Sequence, residues 1–369
     1  MGITRLGNIT GLDRIGIPVA VAVRPNSRSV SVSQGKGLDL PQAMASALME
    51  AAEGFHAEEI GPCCHASYRD LAADETVVNP DTLCRGTTPF DASAPISWIE
   101  GHDLLHRESC WVPAEIVHTD YTGEPDGYFL AGSNGLASGN HVVEAINAAL
   151  YELVERDAVA LWTATPIRAR AACRLDVASV DDPDCRWLIE KYEAVGIVAR
   201  VWHVTSDIGI AAFLCDIRDA SGGDPRRLRR HHGSGCHPDR RIGLSRALTE
   251  AAQTRLTYIA GMRDDISPAE YEEPPEAEIG DALLDALAAE ATPVSFQNVP
   301  SFTADDLTDD LRWSLDRLHA VGMHRAIAVN LTRPEFEIPV VRLVVPGLEW
   351  DPHHPNYRPG PRAEAMAAR

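Results

Sequence analysis

Three stretches of this 369-residue chain carry acids at helical spacing: Ser46–Glu53 (SALMEAAE), Ala148–Asp157 (AALYELVERD) and Arg246–Arg255 (RALTEAAQTR). Each reads Ala-Leu-x-Glu-x-x-(Glu or Gln). On a helix, positions i, i+4 and i+7 lie on one stripe. In the first stretch that stripe is Ser46, Glu50 and Glu53, while Ala45, Ala47, Leu48, Ala51, Ala52 and Phe55 fill the other faces. A helix that is apolar nearly all round is a buried helix. Burying two carboxylates costs several kcal/mol per ion unless a cation compensates. The second stretch sets Glu152, Glu155 and Arg156 on one side. The third stripe is Arg246, Glu250, Gln253 and Thr257, so a cation and an amide enter where the others carry acid. Four carboxylates from two helices suit Mg²⁺, a hard, oxygen-seeking ion. Mg²⁺ in turn bridges protein carboxylates to nucleotide phosphates.

Other chemistries compete for the same residues. An isolated E-x-x-E is most often a solvated helix face; the repetition argues against that here. Glu53 and His56 make an E-x-x-H, the spacing of a di-iron carboxylate site, but the second stretch has Glu155 where a second His is required. Cys63, Cys64 and His65, with Cys84 and Cys110, are too irregular for a tetrahedral zinc site and read as loop thiols. Cys236-His237 is an adjacent pair in sequence only, which does not make a nucleophile and its base.

The elements that would carry the three stripes form a repeated unit. Gly16–Pro25 and Ser27–Ser33 read as two short strands around a Pro-Asn-Ser turn. A glycine-rich loop, Gln34–Gly37, then leads to a helix opened by Asp39 and Pro41. Gly132–Asn140 is a second glycine-rich loop, with Asn140 as the cap of a helix through Trp162. Ile197–Ile217 reads as a hairpin, followed by a third such loop, His231–Asp239, and the third helix. Glycine-rich turns at helix N-termini let backbone N–H groups approach phosphate. Residues 57–130 read as irregular apart from a strand at Trp111–His118, and residues 264–320 as acidic and Ala-rich. His324–Arg333 and Pro339–Glu349 supply late strands, and the tail reads as extended, then loose. Self-similarity at this long period predicts an α/β (α+β) fold, one large pseudo-symmetric domain over 1–369 with mixed sheets.

Composition narrows the class. A net charge of −21 disfavours a nucleic-acid surface, and no apolar run is long enough to span a membrane. The N-terminus shows no export signal, and eight unpatterned cysteines fit reduced thiols in the cytoplasm. The chain has two lysines, Lys36 and Lys191, against thirty-one arginines, and Lys36 lies between two glycines. There is no Walker A motif and no G-x-G-x-x-G, so nucleotide binding here needs neither a P-loop nor a Rossmann turn.

In order and spacing these residues resemble the YcaO family, ATP-dependent enzymes that activate peptide-backbone amides. Its nucleotide site is written S-x-x-x-E-x-x-E, then E-x-x-E-R, then Q-x-R. Here these stand as Ser46-Glu50-Glu53, Glu152-Glu155-Arg156 and Gln253-x-Arg255, with NGLASGN, ERDAV and GMRDD (Gly261–Asp265) as further likenesses. The resemblance covers about Gly16 to Glu349, leaving 350–369 as a tail. It implies that Glu50, Glu53, Glu152 and Glu155 hold Mg²⁺, and that Ser46, Asn134, Arg156, Gln253 and Arg255 line the ATP site. Ser33 and Lys36 join them by their place beside the first glycine loop.

The resemblance also implies the reaction. A nucleophile adds to an amide carbonyl, ATP phosphorylates the oxygen, and phosphate leaves with it. External sulfide gives a thioamide; a Cys, Ser or Thr side chain of the substrate gives an azoline. The late strand Arg342–Glu349 and the GPRA at Gly360–Ala363 are similar to the type that works with a TfuA partner. Azoline formers typically end in Pro-x-Pro-x-Pro, and Pro355, Pro359 and Pro361 do not make that terminus. The expectation is thioamide formation on a peptide or protein, with a TfuA-like partner and a sulfur donor; a homodimer is left open. With no extra leader-binding domain expected, a partner would help recognise the substrate. A catalytically silent peptide-binding scaffold is the alternative of another class.

Overall fold

The computed structural model describes residues 1–61, 63–220, 230–263, 265–266, 271 and 275–368. Pro62, part of the acidic segment including Asp264 of the GMRDD stretch, and Arg369 lie outside the described residues. The chain opens with an antiparallel sheet of β1 (Arg5–Asn8), β2 (Val19–Val23) and β3 (Val32–Lys36), in that order. α1 (Leu40–Ala57) follows, with Asp39 accepting from the Gln42 amide and Pro41 in its first turn. The second strand therefore starts later than the alternation predicts and takes in the first glycine-rich segment.

A larger sheet comes next: β4 (Cys64–Ser67), then α2 (Tyr68–Asp74), β5 (Pro95–Asp103), β6 (Glu108–Pro113) and β7 (Leu136–Ser138). The region expected to be irregular thus holds real strands. In β5, Ile96, Trp98 and Ile99 are buried, but Glu100, His102 and Asp103 interrupt the apolar pattern in the sequence. The strand expected at Trp111–His118 ends at Pro113 and closes in a tight turn at Ala114–Ile116. α3 (Val142–Ala164) is capped by His141, not Asn140: His141 accepts from the Val143 amide, while the Asn140 amide donates to Glu144 at 2.8 Å. The caps shift by one residue because Glu144 reaches back to Asn140.

After α4 (Ile167–Ala172), β8 (Leu175–Asp176) and α5 (Pro183–Glu193), the opening unit recurs. β9 (Ile197–His203), β10 (Ala212–Asp219) and β11 (His231–Cys236) form an antiparallel sheet in sequence order, and α6 (Arg240–Ala260) follows with Asp239 as its cap. The predicted hairpin is β9–β10, with His203 opposite Phe213. α7 (Pro275–Glu290), β12 (Val294–Ser295) and α8 (Leu307–Ala320) lead to β13 (Ile327–Asn330) and β14 (Val340–Val344). These complete the large sheet in the order β4-β5-β13-β14-β7, with β6 on β5. The apolar face of α3 (Ala149, Leu150, Val154) packs with Val341 and Leu343 of β14 in one core.

The first and third glycine segments are strands, not loops, which corrects their reading as phosphate cradles; the second holds only the short β7. A Cβ on Gly35 would overlap the Ala43 carbonyl and the Ala47 amide of α1; one on Gly235 would overlap the Gly243 carbonyl and the Ala247 amide of α6. The two units superpose in sequence at an offset of 200, Gly35 on Gly235 and Glu50 on Glu250. Glycine is required because helix backbone lies directly on strand backbone.

The tail is also more ordered than expected. α9 (Pro361–Ala367) packs on α3, and Arg362 grips Asp157 with two bonds of 2.9 Å. The architecture is not a four-helix bundle, and His56 turns its Nδ1 to the Leu331 carbonyl at 3.0 Å, away from a di-iron arrangement. No described helix is long and apolar enough to cross a membrane.

Candidate functional site

Side chains from α1, α3 and α6 share one electrostatic environment. The acids of α1 and Glu250 of α6 are met by the free amides of edge strands. Ser138 of β7 donates to Glu53 through its amide (2.9 Å) and hydroxyl (2.6 Å). The Gln34 amide of β3 bonds Glu50, and the Ser234 amide of β11 bonds Glu250 at 3.1 Å. Helices laid against edge strands through glycine bring their acid stripes to unpaired backbone donors.

These donors do not offset the burial. Glu50 and Glu53 are half-buried by surface area, yet protein surrounds both carboxylates densely. Burial pushes Glu50 up to about 7, against the charges of Arg263 and Lys36. Burial pushes Glu53 up to about 8, against the Ser138 hydroxyl, with Glu50 and Glu152 adding repulsion. Glu152 is raised by burial as well, with Arg156 opposing. Glu155 is 2% exposed; Oε1 accepts from Ser234 Oγ at 2.7 Å and Oε2 has no partner. Acids whose charged form burial disfavours are what a hard cation stabilises.

Cations line the other side. Lys36 Nζ meets Glu250 Oε2 at 2.5 Å. Burial opposes ionisation of Glu250, but Lys36 and Arg156 bring it down to about 2. Arg156 Nη1 lies 3.4 Å from both Glu155 Oε1 and Ser234 Oγ. Burial disfavours its charge, yet Glu155, Glu152 and Glu250 hold it firmly protonated. Gln253 donates to the Gln34 carbonyl at 3.2 Å and leaves its Oε1 unpartnered. A cleft of about 600 Å³, lined by Lys36, Gln42, Ser46, Arg241 and Arg246 among others, opens between α1 and α6. Its polar walls and volume fit a nucleotide.

The structure thus brings together Glu50, Glu53, Glu152, Glu155, Lys36, Ser46, Arg156 and Gln253. It does not bring Arg255 to them. Arg255 is 1% exposed and pairs with Asp13 (2.9 Å) and Asp219 (3.3 Å). Residues two apart on a helix point roughly 200° apart, so Gln253 and Arg255 face opposite ways. Ser33 lies on the Gly35 side of β3, opposite Lys36. Asn134 lines a separate small cavity with Leu153 and Arg342. The eight cysteines are free, and Cys236 is fully buried.

Among the described residues, no three His, Cys, Asp or Glu side chains converge tightly enough to hold an ion by themselves. The four acids are therefore not a closed cage. Mg²⁺ commonly takes one or two carboxylates and completes its shell with phosphates and water, and the unpartnered Glu155 Oε2 and raised Glu50 and Glu53 suit that use.

Sequence reasoning missed Glu250 as a working residue, although it stands in the shared Ala-Leu-x-Glu register. It also missed Arg246 and the donors Ser138 and Ser234. The third copy's acid was legible; that it would anchor Lys36 from the first unit depends on how the two units face each other.

Comparison with known proteins places the chain in a family. A family model described as YcaO cyclodehydratase, ATP- and Mg²⁺-binding, matches residues 34–349. A Rhizobium leguminosarum bv. trifolii protein, described as an uncharacterized protein in the tfuA 3' region, is 38% identical over 356 residues, covering 95% of this chain and 84% of its own. An uncharacterized protein of Methanothermobacter thermautotrophicus is 34% identical over 363 residues, 95% of this chain and 90% of that one. Among solved structures, a heterocyclase in complex with substrate and cofactor superposes with a TM-score of 0.75 at 25% identity. That match covers 95% of this chain, which spans 50% of the heterocyclase. A YcaO from Methanopyrus kandleri, bound with AMPPCP and Mg²⁺, superposes at 0.68 with 23% identity, over 94% of this chain and 86% of that one; this likeness is one of fold. By the matched family model, by relatives along nearly the whole chain, and by three helices that carry their acids to one place, this protein belongs to the YcaO family of ATP- and Mg²⁺-binding proteins.

Proposed function

We propose that this protein uses ATP and Mg²⁺ to convert a peptide-backbone amide into a thioamide, working with a TfuA-type partner and a source of sulfide. The observation that carries the ATP-dependent step is the set of buried acids on α1 and α3 whose charge Lys36, Arg156 and Arg246 favour, with a cleft beside them that Lys36 and Arg246 line. The sulfur reading is supported by the relative from the tfuA region, alike over 95% of this chain.

In this reading Glu50, Glu53, Glu152 and Glu155 hold Mg²⁺, which when bound neutralises phosphate charge. Ser46, Lys36, Arg156, Arg246 and Gln253 orient the triphosphate. Glu250 positions Lys36. An amide oxygen is a poor leaving group, and phosphorylation makes it a good one; the protein contributes position and charge neutralisation. The likeness to heterocyclases supports a second reading, azoline formation on a ribosomal peptide, which uses the same phosphorylation with a side-chain nucleophile.

The test is to combine the full chain, a TfuA-type protein, ATP, Mg²⁺, sulfide and the peptide encoded nearby, and weigh the peptide. Exchange of oxygen for sulfur is the expected result. Loss of water instead assigns the azoline reaction. An unmodified peptide with no ATP hydrolysis overturns both, and conversion that survives Glu50→Gln and Glu152→Gln removes the acids from the mechanism.

A further inference from the structure

Arg342 is a buried cation that makes no ion pair among the described residues. It lies on β14 opposite Val329 and Leu136, is 1% exposed, and donates through Nη2 to the Gly132 carbonyl. Its Nη1 has no partner, and no carboxylate lies within ion-pairing distance among the described residues. Burial brings it down to about 10, although Tyr121 and Glu152 favour its charged form. An unpaired buried guanidinium is costly, and such groups are retained where they meet an anion.

Nη1 is not the only orphan here. Asn134, whose Nδ2 is also buried without a partner, lines the same cavity of about 50 Å³. The remaining wall is largely apolar, with Ile116, Leu130 and Leu153 in it. Cys84 does not supply the anion, because burial pushes its thiol up to about 12. Nor does Glu349: its carboxylate accepts from Tyr357, Gly360 and Ala363 of the tail. Leu153 directly follows Glu152, so the cavity adjoins the acid cluster through one residue of α3.

We propose that this cavity binds hydrosulfide, the nucleophile of the reaction, between Arg342 and Asn134; the inference rests on the thioamide reading above. The space suits a one-heavy-atom anion and is too small and too poor in donors for phosphate. A weakly hydrated guanidinium in an apolar wall favours a soft monovalent anion. From there the sulfur forms a bond to the amide carbon while the C=O π pair moves to oxygen. That oxygen takes the γ-phosphoryl group of ATP and ADP departs. The S–H proton passes to the leaving phosphate as the C–O bond breaks, giving C=S, ADP and phosphate with no change in oxidation state.

The test uses sodium hydrosulfide with the full chain and its partner. Arg342→Gln and Asn134→Ala are expected to raise KM for hydrosulfide about tenfold or more, with KM for ATP unchanged, and Arg342→Lys to recover part of the loss. Retained binding of Mg²⁺ and AMPPCP shows that each variant is folded; Asn134→Ala, in a half-covered position, serves if Arg342→Gln does not fold. A wild type that makes thioamide while both variants keep the same KM for hydrosulfide overturns the site alone. A wild type that only removes water overturns the thioamide reading and the nucleophile site with it.

Discussion

Lys36 and Glu250 are 214 residues apart in sequence and 2.5 Å apart in space. The pair ties β3 of the first unit to α6 of the second, and Glu250 also accepts from the Ser234 amide. One acid therefore holds the cation of one repeat and the edge strand of the other. Both partners are about one-fifth exposed, so the coupling is that of a partly screened pair. A double-mutant cycle with Lys36→Met and Glu250→Gln, followed by urea unfolding, is expected to give about 1–2 kcal/mol of coupling. Glu250→Gln should also change the affinity for ATP, since it frees Lys36; an affinity and a cycle both at baseline would remove the positioning role.

Gly35 and Gly235 occupy equivalent places in the two units and serve the same approach of helix to strand. Ala at either position puts a methyl group into helix backbone, which cannot move aside as a side-chain tip would. Gly35→Ala and Gly235→Ala should each lose about 3 kcal/mol or more, read by thermal or urea unfolding. Wild-type stability in either variant would mean that strand and helix backbone are not in direct contact there.

Much of this architecture is legible in the sequence, and what is not has a physical reason. The helix stripes follow from periodicity, and Asp39 announces α1 by its type and place. The glycines were visible too, but a glycine run is equally a loop that cradles phosphate or a strand that receives a helix. Only the packing of Gly35 on Ala43 and Ala47 decides between them. β5 was hidden because Glu100, His102 and Asp103 dilute its apolar signal; Asp103 is buried yet paired with Arg325 and His106. The acid stripes were readable from one helix at a time. The cavity between Arg342 and Asn134 was not, since it joins residues from distant segments.

The raised acids predict an unusual response to pH in metal-free protein. Glu50 and Glu53 titrate at about 7 and about 8 in the fold, against 4.5 as the ordinary value. The folded state thus binds their protons more tightly than the unfolded state does. Their contribution to stability is fully present below about pH 4.5 and is lost as pH rises through 7 to 8. Melting temperature in chelator should fall from pH 6 to pH 9, and Mg²⁺ with AMPPCP should restore it most at the alkaline end. Glu50→Gln with Glu53→Gln should flatten the chelator curve. A wild-type curve that is already flat would count against burial as the source of the shift.

Arg255 separates what the resemblance assigns from what the geometry assigns. Its pairing with Asp13 and Asp219 makes it a buried brace between α6, the β1–β2 connection and the end of β10. Arg255→Met leaves the buried Asp13 carboxylate without its cation, while Asp219 keeps Arg14, so about 3 kcal/mol of stability should go. KM for ATP should stay within twofold of wild type, measured at a temperature where the variant is folded. A large rise in KM with unchanged melting would return Arg255 to the nucleotide.

Asp157 follows Arg156 on α3, so the tail is fastened directly behind the candidate site. The Asp157 carboxylate is fully buried, and burial raises it against the opposing pull of Arg362, which donates two bonds of 2.9 Å. The Glu349 amide adds a third bond at 3.1 Å, and Glu349 in turn holds Gly360 and Ala363. Removing Arg362 strands a buried charge, whereas removing both partners does not. Arg362→Met should therefore cost about 3 kcal/mol, and the added change Asp157→Asn should recover part of it. The same pair of variants reports on the site. If the tail only braces α3, turnover recovers with stability in the double variant. If the tail also shapes the site, turnover stays low after stability returns, because α9 no longer holds Asp157 beside Arg156.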